Sequence, residues 1–284
     1  MNIAVLSGKG GAGKTLVSVN LSEVSENSTY IDCDVEEPNG HLFFKPDNII
    51  KNNISVKIPI VNNDLCEGCR TCVDFCKFNA LAYTDKLLIF DDICHSCGGC
   101  MRFCPNGALS EKEKVIGEVQ KGVSNGIDVI SGILNIGEPS GVPIIKELLN
   151  HIDENSHYNI IDCPPGSACV VMESIKDADY CILVSEPTVF GAHNLNMVYE
   201  LVKLFNKPHG VVINKYINED NPTEKLCKEK NIKILDRIPF DKELGNLNSD
   251  GVIISREKDE YREVFESLLN TVTKEVKYEA ITNP

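Results

Sequence analysis

The sequence is short of positive charge. Its 284 residues hold 28 lysines and arginines against 42 aspartates and glutamates, a formal net charge of −14 at pH 7. Affinity for nucleic acid comes largely from lysine and arginine neutralising phosphates, so this balance argues against nucleic acid as a partner. Also missing is any apolar run long enough to cross a bilayer. The stretch Lys258–Leu269 does place Tyr261, Phe265, Leu268 and Leu269 on one helical face, with Glu260, Arg262, Glu263 and Glu266 on the other. Without the basic face that anionic lipid attracts, it reads as a core-packed terminal helix rather than a membrane anchor. Met1 leads directly into a short apolar strand, with no basic region or small-residue cleavage site, so the expected compartment is the cytoplasm, where disulfides do not persist. The six histidines form no metal-ligand pattern, and His95 reads as loop filler.

Cysteine, by contrast, is abundant. Eight of the thirteen fall into two matching runs, Cys66-x2-Cys69-x2-Cys72-x3-Cys76 and Cys94-x2-Cys97-x2-Cys100-x3-Cys104, the second closed by Pro105. The spacing resembles that of a bacterial-type ferredoxin with two 4Fe-4S clusters. Each iron of a cubane needs one thiolate; closely spaced cysteines on a tight loop cap three corners, and a distant cysteine caps the fourth. In such ferredoxins the last cysteine of each run crosses over, which implies Cys66, Cys69, Cys72 and Cys104 for one cluster and Cys94, Cys97, Cys100 and Cys76 for the other. Paired zinc sites would instead use well-separated CxxC pairs. Lys77 stands where the first run often carries proline, a departure that removes no ligand. Cys33, Cys181 and Cys227 read as small apolar fillers, and Cys163 as packing.

A second pattern opens the chain. Asn2–Ser7 has the character of a buried strand, and Gly8-Lys9-Gly10-Gly11-Ala12-Gly13-Lys14-Thr15 follows it as G-x4-G-K-[ST] at the head of a helical pattern. This is a phosphate-binding loop. Its glycines let backbone N–H groups turn toward the phosphates, Lys14 reaches the β- and γ-phosphates, and the Thr15 hydroxyl ligates Mg²⁺. Strand-like runs ending in acids, Thr29–Asp32 with Asp34 just beyond and Asn159–Asp162, bring carboxylates to the ligand-binding end of an open sheet. Further apolar runs at Ile127–Ile130, Tyr180–Val184, Val211–Ile213 and Ile232–Leu235, with room for crossover helices such as Asn194–Phe205, predict an α/β fold with a mainly parallel, doubly wound sheet. Gly137–Gly141 reads as a turn before a helix.

With Lys9 as an extra lysine in the loop, the string resembles the deviant P-loop ATPases of the MinD/ParA superfamily, which includes the nitrogenase iron protein and Mrp-type iron–sulfur carriers. The likeness is strongest to members with an inserted ferredoxin domain. It implies ATP and Mg²⁺ as ligands beside two 4Fe-4S clusters, and a homodimer in which Lys9 reaches the partner's nucleotide. It also implies Asp32-Cys33-Asp34 as the first switch, with Asp34 activating water, and Asp162 with Pro164-Pro165-Gly166 as the Walker B aspartate and second switch. Asp32 and Asp162 would hold the Mg²⁺ shell, and Asn214-Lys215 would read adenine. Cys169, seven residues after Asp162, stands near where the nitrogenase iron protein has its subunit-bridging cluster ligand, and so is a candidate dimer-interface ligand beside the bland reading of a buried thiol.

The expected organisation is an ATPase domain in two parts, 1–58 and 112–284, interrupted by a ferredoxin-like α+β insert at 59–111. The leading expectation for function is an ATPase that couples nucleotide-driven dimer changes to electron transfer toward a redox or metalloprotein partner. A cluster-assembly carrier and a redox-sensing regulatory ATPase are the alternatives. The acidic balance disfavours a partition-type ATPase.

Overall fold

The computed structural model describes residues 1–152, 156–217 and 220–282. Alternation along the first strand, β1 (Asn2–Leu6), shows how the body is built: Ile3 and Val5 enter one apolar cluster, while Ala4 and Leu6 enter another on the opposite face. A strand buried on both sides needs helices on both sides. The helices Lys14–Val24 and Asp259–Thr282 cover one face, and Val142–Leu149, Cys169–Ser174 and Val189–Leu204 cover the other.

The remaining strands in chain order are β2 (Ser28–Asp32), β3 (Asp47–Val61), β4 (Leu81–Tyr83), β5 (Leu87–Ile89), β6 (Leu109–Ser124), β7 (Ile127–Leu134), β8 (Tyr158–Asp162), β9 (Tyr180–Ser185), β10 (His209–Tyr216) and β11 (Ile234–Pro239). A nine-stranded sheet has the order β11-β10-β9-β1-β8-β2-β7-β6-β3, parallel from β11 to β7 and antiparallel beyond. From β1 the chain crosses to β2 on one side, and from β8 it crosses to β9 on the other, so the crevice where such sheets bind ligands lies at the carboxyl ends of β1 and β8, with β2 alongside. Asp32 and Asp162 lie in register there.

The antiparallel edge was not foreseen from sequence. β6 returns to β7 through Asn125-Gly126, both at positive φ (49° and 81°), as a tight two-residue hairpin demands. Beyond the main sheet, β3 and β6 continue as a two-stranded ribbon. Its register slips between Ile54 and Ser55, where Ile116 is left as the extra residue of a bulge. Pro59 and Glu111 pair near the ribbon's far end, and residues 62–108 fold beyond it around the β4–β5 hairpin, the short helices Thr71–Phe75 and Gly99–Arg102, and a small core of Cys72, Leu81, Leu87, Cys100 and Leu109.

Three boundaries differ from the sequence reading. The helix expected from Asn194 begins at Val189, because the Thr188 side chain accepts the Gly191 N–H and caps it. The strand expected at Ile232–Leu235 runs from Ile234 to Pro239, while Ile232 packs into the core from the preceding turn. The terminal helix reaches Thr282, with Tyr261, Phe265, Leu268 and Leu269 buried as expected.

Candidate functional site

The phosphate loop is a tight piece of backbone. Gly13 has φ 99° and caps the helix that Lys14 begins, and a Cβ placed on it would lie 2.0 Å from Asn214 Nδ2. Only glycine meets both demands. Asn214 is buried and donates from Nδ2 to the Ala12 carbonyl (2.9 Å), while Lys215 Nζ donates to the Gly11 carbonyl (3.0 Å). Gly10, Gly11, Gly13, Lys14 and Thr15 line a cleft of about 840 Å³ together with Asp34, Asn214, Phe240 and Asp241. That volume suits a small-molecule ligand. The wall supplied by Phe240, Asp241 and Leu244 carries no motif that marks it in the sequence.

Acids converge on Lys14. Its Nζ lies 2.8 Å from Asp162 Oδ1 and 3.5 Å from Asp34 Oδ2. Burial alone would lower the lysine pKa, but Asp162 and Asp34 outweigh it and raise the value. Asp162 Oδ2 accepts from Tyr30 Oη (2.9 Å), a partner that sequence reasoning missed because only the fold brings β2 and β8 side by side. Asp32 is oriented by backbone: Oδ1 accepts from the Asp34 N–H (3.1 Å), and Oδ2 from those of Asn39 (3.1 Å) and Gly40 (2.9 Å), which leaves acceptor capacity on Oδ1. Burial, followed by the charge of Asp162, raises the Asp32 pKa. Burial likewise raises that of Asp34, against the pull of Lys14.

Lys9 is held within its own chain. Its ammonium pairs with Glu186, which also pairs with Lys215 Nζ (2.6 Å), and it lies 5.7 Å from the Phe190 ring centroid. Glu186 is the second residue the sequence did not flag. Its desolvation, which would raise the pKa, is outweighed by the hydrogen bonds from Lys215 and Lys9, and the net shift is downward.

The cysteines fall into two sets in space. Cys66, Cys69, Cys72 and Cys104 line one small cavity with Tyr83, Leu87 and Leu109. Cys76, Cys94, Cys97 and Cys100 line a second with Phe75, Phe78 and Leu81. Each set takes three cysteines from one run and the last from the other. Among the described residues no three His, Cys, Asp or Glu side chains converge as the ligands of a single metal ion would. A cubane instead spreads its thiolates over four corners, and four thiols around an apolar hollow fit that donor chemistry. All thirteen cysteines are free; Cys33, Cys163, Cys181 and Cys227 are buried as expected. Cys169 is exposed at the start of its helix, which removes the bland reading of it as a buried thiol. His95 stacks on Phe78 with ring centroids 3.9 Å apart.

A family profile for the CobQ/CobB/MinD/ParA nucleotide binding domain matches residues 3–254. The chain belongs to that family. An uncharacterised protein of Methanocaldococcus jannaschii is 33% identical over 279 residues, covering 94% of this chain and 96% of the relative. The iron–sulfur cluster carrier protein of the same organism is 25% identical over 271 residues, covering 88% of this chain and 76% of the carrier. In fold, the chain resembles the septum site-determining protein MinD of Pyrococcus horikoshii, solved with Mg-ADP, at a TM-score of 0.58 and 18% identity over 94% of this chain and 93% of that one. It also resembles the cell division ATPase MinD of Pyrococcus furiosus at a TM-score of 0.60 and 19% identity over 96% and 98% of the two chains. Among the described residues no helix is long and apolar enough to cross a membrane.

Proposed function

We propose that the protein is a MgATP-hydrolysing homodimer that couples its nucleotide cycle to electron transfer through two 4Fe-4S clusters toward a redox or metalloprotein partner. The observation that carries this reading is the sorting of eight cysteines into two cavities of four, with Cys76 and Cys104 exchanged between runs. In the nucleotide cleft, Gly8–Thr15 cradles the phosphates through backbone N–H groups, and Asn214, already tied to that loop, faces the base. Thr15, Asp32 and Asp162 would hold Mg²⁺, which would neutralise phosphate charge, and Asp34 would orient the attacking water. Lys14 and Asp162 stand side by side at 2.8 Å, so the ammonium would serve the β- and γ-phosphates and the carboxylate would serve Mg²⁺ at one point of the cleft. Lys9 leaves Glu186 to reach the partner's nucleotide, and Cys169 lies toward the dimer axis.

The domain division at 1–58, 59–111 and 112–284 follows from the same reading, and the pairing of Pro59 with Glu111 lets the insert leave and rejoin the body side by side. The Cys66/Cys69/Cys72/Cys104 and Cys76/Cys94/Cys97/Cys100 sets hold the two clusters; when bound, each supplies a one-electron redox couple at low potential. A second reading, delivery of clusters to other proteins, is favoured by the likeness to the iron–sulfur cluster carrier and by the exposure of Cys169. The two separate in one experiment. Anaerobic protein reduced with dithionite is mixed with an oxidised viologen dye in MgATP or MgADP, and with an apo-ferredoxin in parallel. Faster dye reduction in MgATP with no iron lost supports electron transfer. Iron appearing on the apo-ferredoxin, with dye reduction indifferent to nucleotide, supports the carrier.

A further inference from the structure

The two thiol cavities differ in what borders them. The one lined by Cys104 is enclosed by residues 65–109 alone. The other reaches through Cys94 and His95 to a separate cleft of about 380 Å³, whose far wall is the ATPase body at Glu138–Ser140 and Val142. Among the described residues, Cys94 of the second set thus lines a cleft that the ATPase body also lines, while the cavity of the first set is lined by none of that body.

A continuous line of contacts crosses that boundary. Val35, next to Asp34, accepts the Leu134 N–H through its carbonyl (2.8 Å). Its side chain fills the gap between Gly132 and Gly141: a Cβ at either glycine would lie 2.7 Å or 2.4 Å from a Val35 methyl. Val35 thus abuts both ends of the loop 135–141. That loop holds the ribbon at its bulge, where the Asn135 N–H donates to the Ile116 carbonyl (2.9 Å). It also presents Glu138, whose carboxylate pairs with Lys114 Nζ at 3.0 Å with side-chain exposures of 10% and 19%, shielded enough that salt screens the pair weakly. The same ammonium donates to the Asp91 carbonyl (3.2 Å) and to Asp92 Oδ1 (3.3 Å). The Asp91 carbonyl in turn accepts the Cys94 N–H (3.4 Å).

We infer that Glu138 and Lys114 are positioning residues through which the nucleotide state of the Asp34–Val35 segment is felt at the cluster held by Cys76, Cys94, Cys97 and Cys100, and not at the cluster held by Cys66, Cys69, Cys72 and Cys104. This rests on the proposed function for both the nucleotide and the clusters. A ligand shifts a distant group only if the two states differ in contacts along a connected route. Here the route ends on one cluster loop. The two thiol sets accordingly differ in what they would feel: the one that includes Cys94 adjoins the route from the nucleotide site, and the one that includes Cys104 lies off it.

The test is hydrogen–deuterium exchange of the anaerobic, iron-loaded full chain, with and without a non-hydrolysable ATP analogue and Mg²⁺. Slower exchange is expected at 10–16, where the analogue binds, together with altered exchange at 135–141 and 91–97 and none at 65–72. Lys114→Met and Glu138→Gln should each keep the change at 10–16 and lose the one at 91–97, and Lys114→Arg should restore it. A response at 91–97 that survives both substitutions, or an equal response at 65–72, overturns the inference. No protection at 10–16 would overturn the nucleotide reading beneath it, and the inference with it.

Discussion

The nucleotide cleft and the cysteine unit solve the same problem, a concentration of reactive groups, in opposite ways. At the nucleotide site the motif charges are answered by other parts of the protein: Lys14 by Asp162 and Asp34, Asp32 by three backbone N–H groups, and Lys9 by Glu186. That network rests on a nine-stranded sheet with apolar cores on both faces. The cysteine unit has a five-residue buried core of which two members, Cys72 and Cys100, are themselves proposed ligands. The body has apolar cores on both faces of its sheet; under the proposed function, the small core of residues 62–108 would be completed by its clusters.

Removing iron is the sharpest way to break that comparison. Chelation under reducing conditions should open residues 62–108 to proteolysis while the body keeps its secondary structure and nucleotide affinity, as limited digestion followed by mass spectrometry would show. An insert that stays protected without metal would mean that its core suffices.

The next largest effect is expected at Lys14. Lys14→Ala should abolish measurable MgATP binding by calorimetry, since it removes the charge on the β- and γ-phosphates, whereas Asp34→Asn should retain binding and stall hydrolysis. Iron content should not change in either variant. A cluster lost from Lys14→Ala would show that the two regions depend on each other for folding.

Tyr30→Phe sharpens the account of internal compensation. It deletes one buried hydrogen bond to a charged acceptor, worth about 1.5–3 kcal/mol, and urea denaturation should register a loss in that range. No loss would mean that Asp162 recruits another donor. The smallest effect belongs to Glu186→Gln, which frees Lys9 from a partly exposed ion pair worth about 1 kcal/mol or less. The dimerisation constant in MgATP should therefore rise by less than about tenfold, read by sedimentation. A fall instead would place Glu186 among the groups that hold the dimer together.

What could be read from sequence divides along physical lines. The phosphate loop and the cysteine runs are local: glycine at Gly13 is required by a positive φ, and ligand spacing is a property of a few consecutive residues. The parallel strands announced themselves as short apolar runs because both of their faces are buried. β3 gave no such signal, since residues 47–53 are exposed along the sheet edge and only backbone pairing with β6 makes them a strand. Tyr30 and Glu186 were invisible for a different reason. Each is one polar residue in an ordinary segment, and the contacts of Tyr30 with Asp162 and of Glu186 with Lys9 each span more than a hundred residues of chain.

The central claim is that one chain joins a nucleotide site to two cubanes, and metal analysis tests it most directly. Protein purified anaerobically should contain about eight irons and eight acid-labile sulfides per chain, with each of Cys104→Ala and Cys66→Ala leaving the same single cluster by electron paramagnetic resonance. Zinc in place of iron, a single cubane in the unaltered protein, or a Cys104→Ala spectrum that matches Cys94→Ala instead would contradict it.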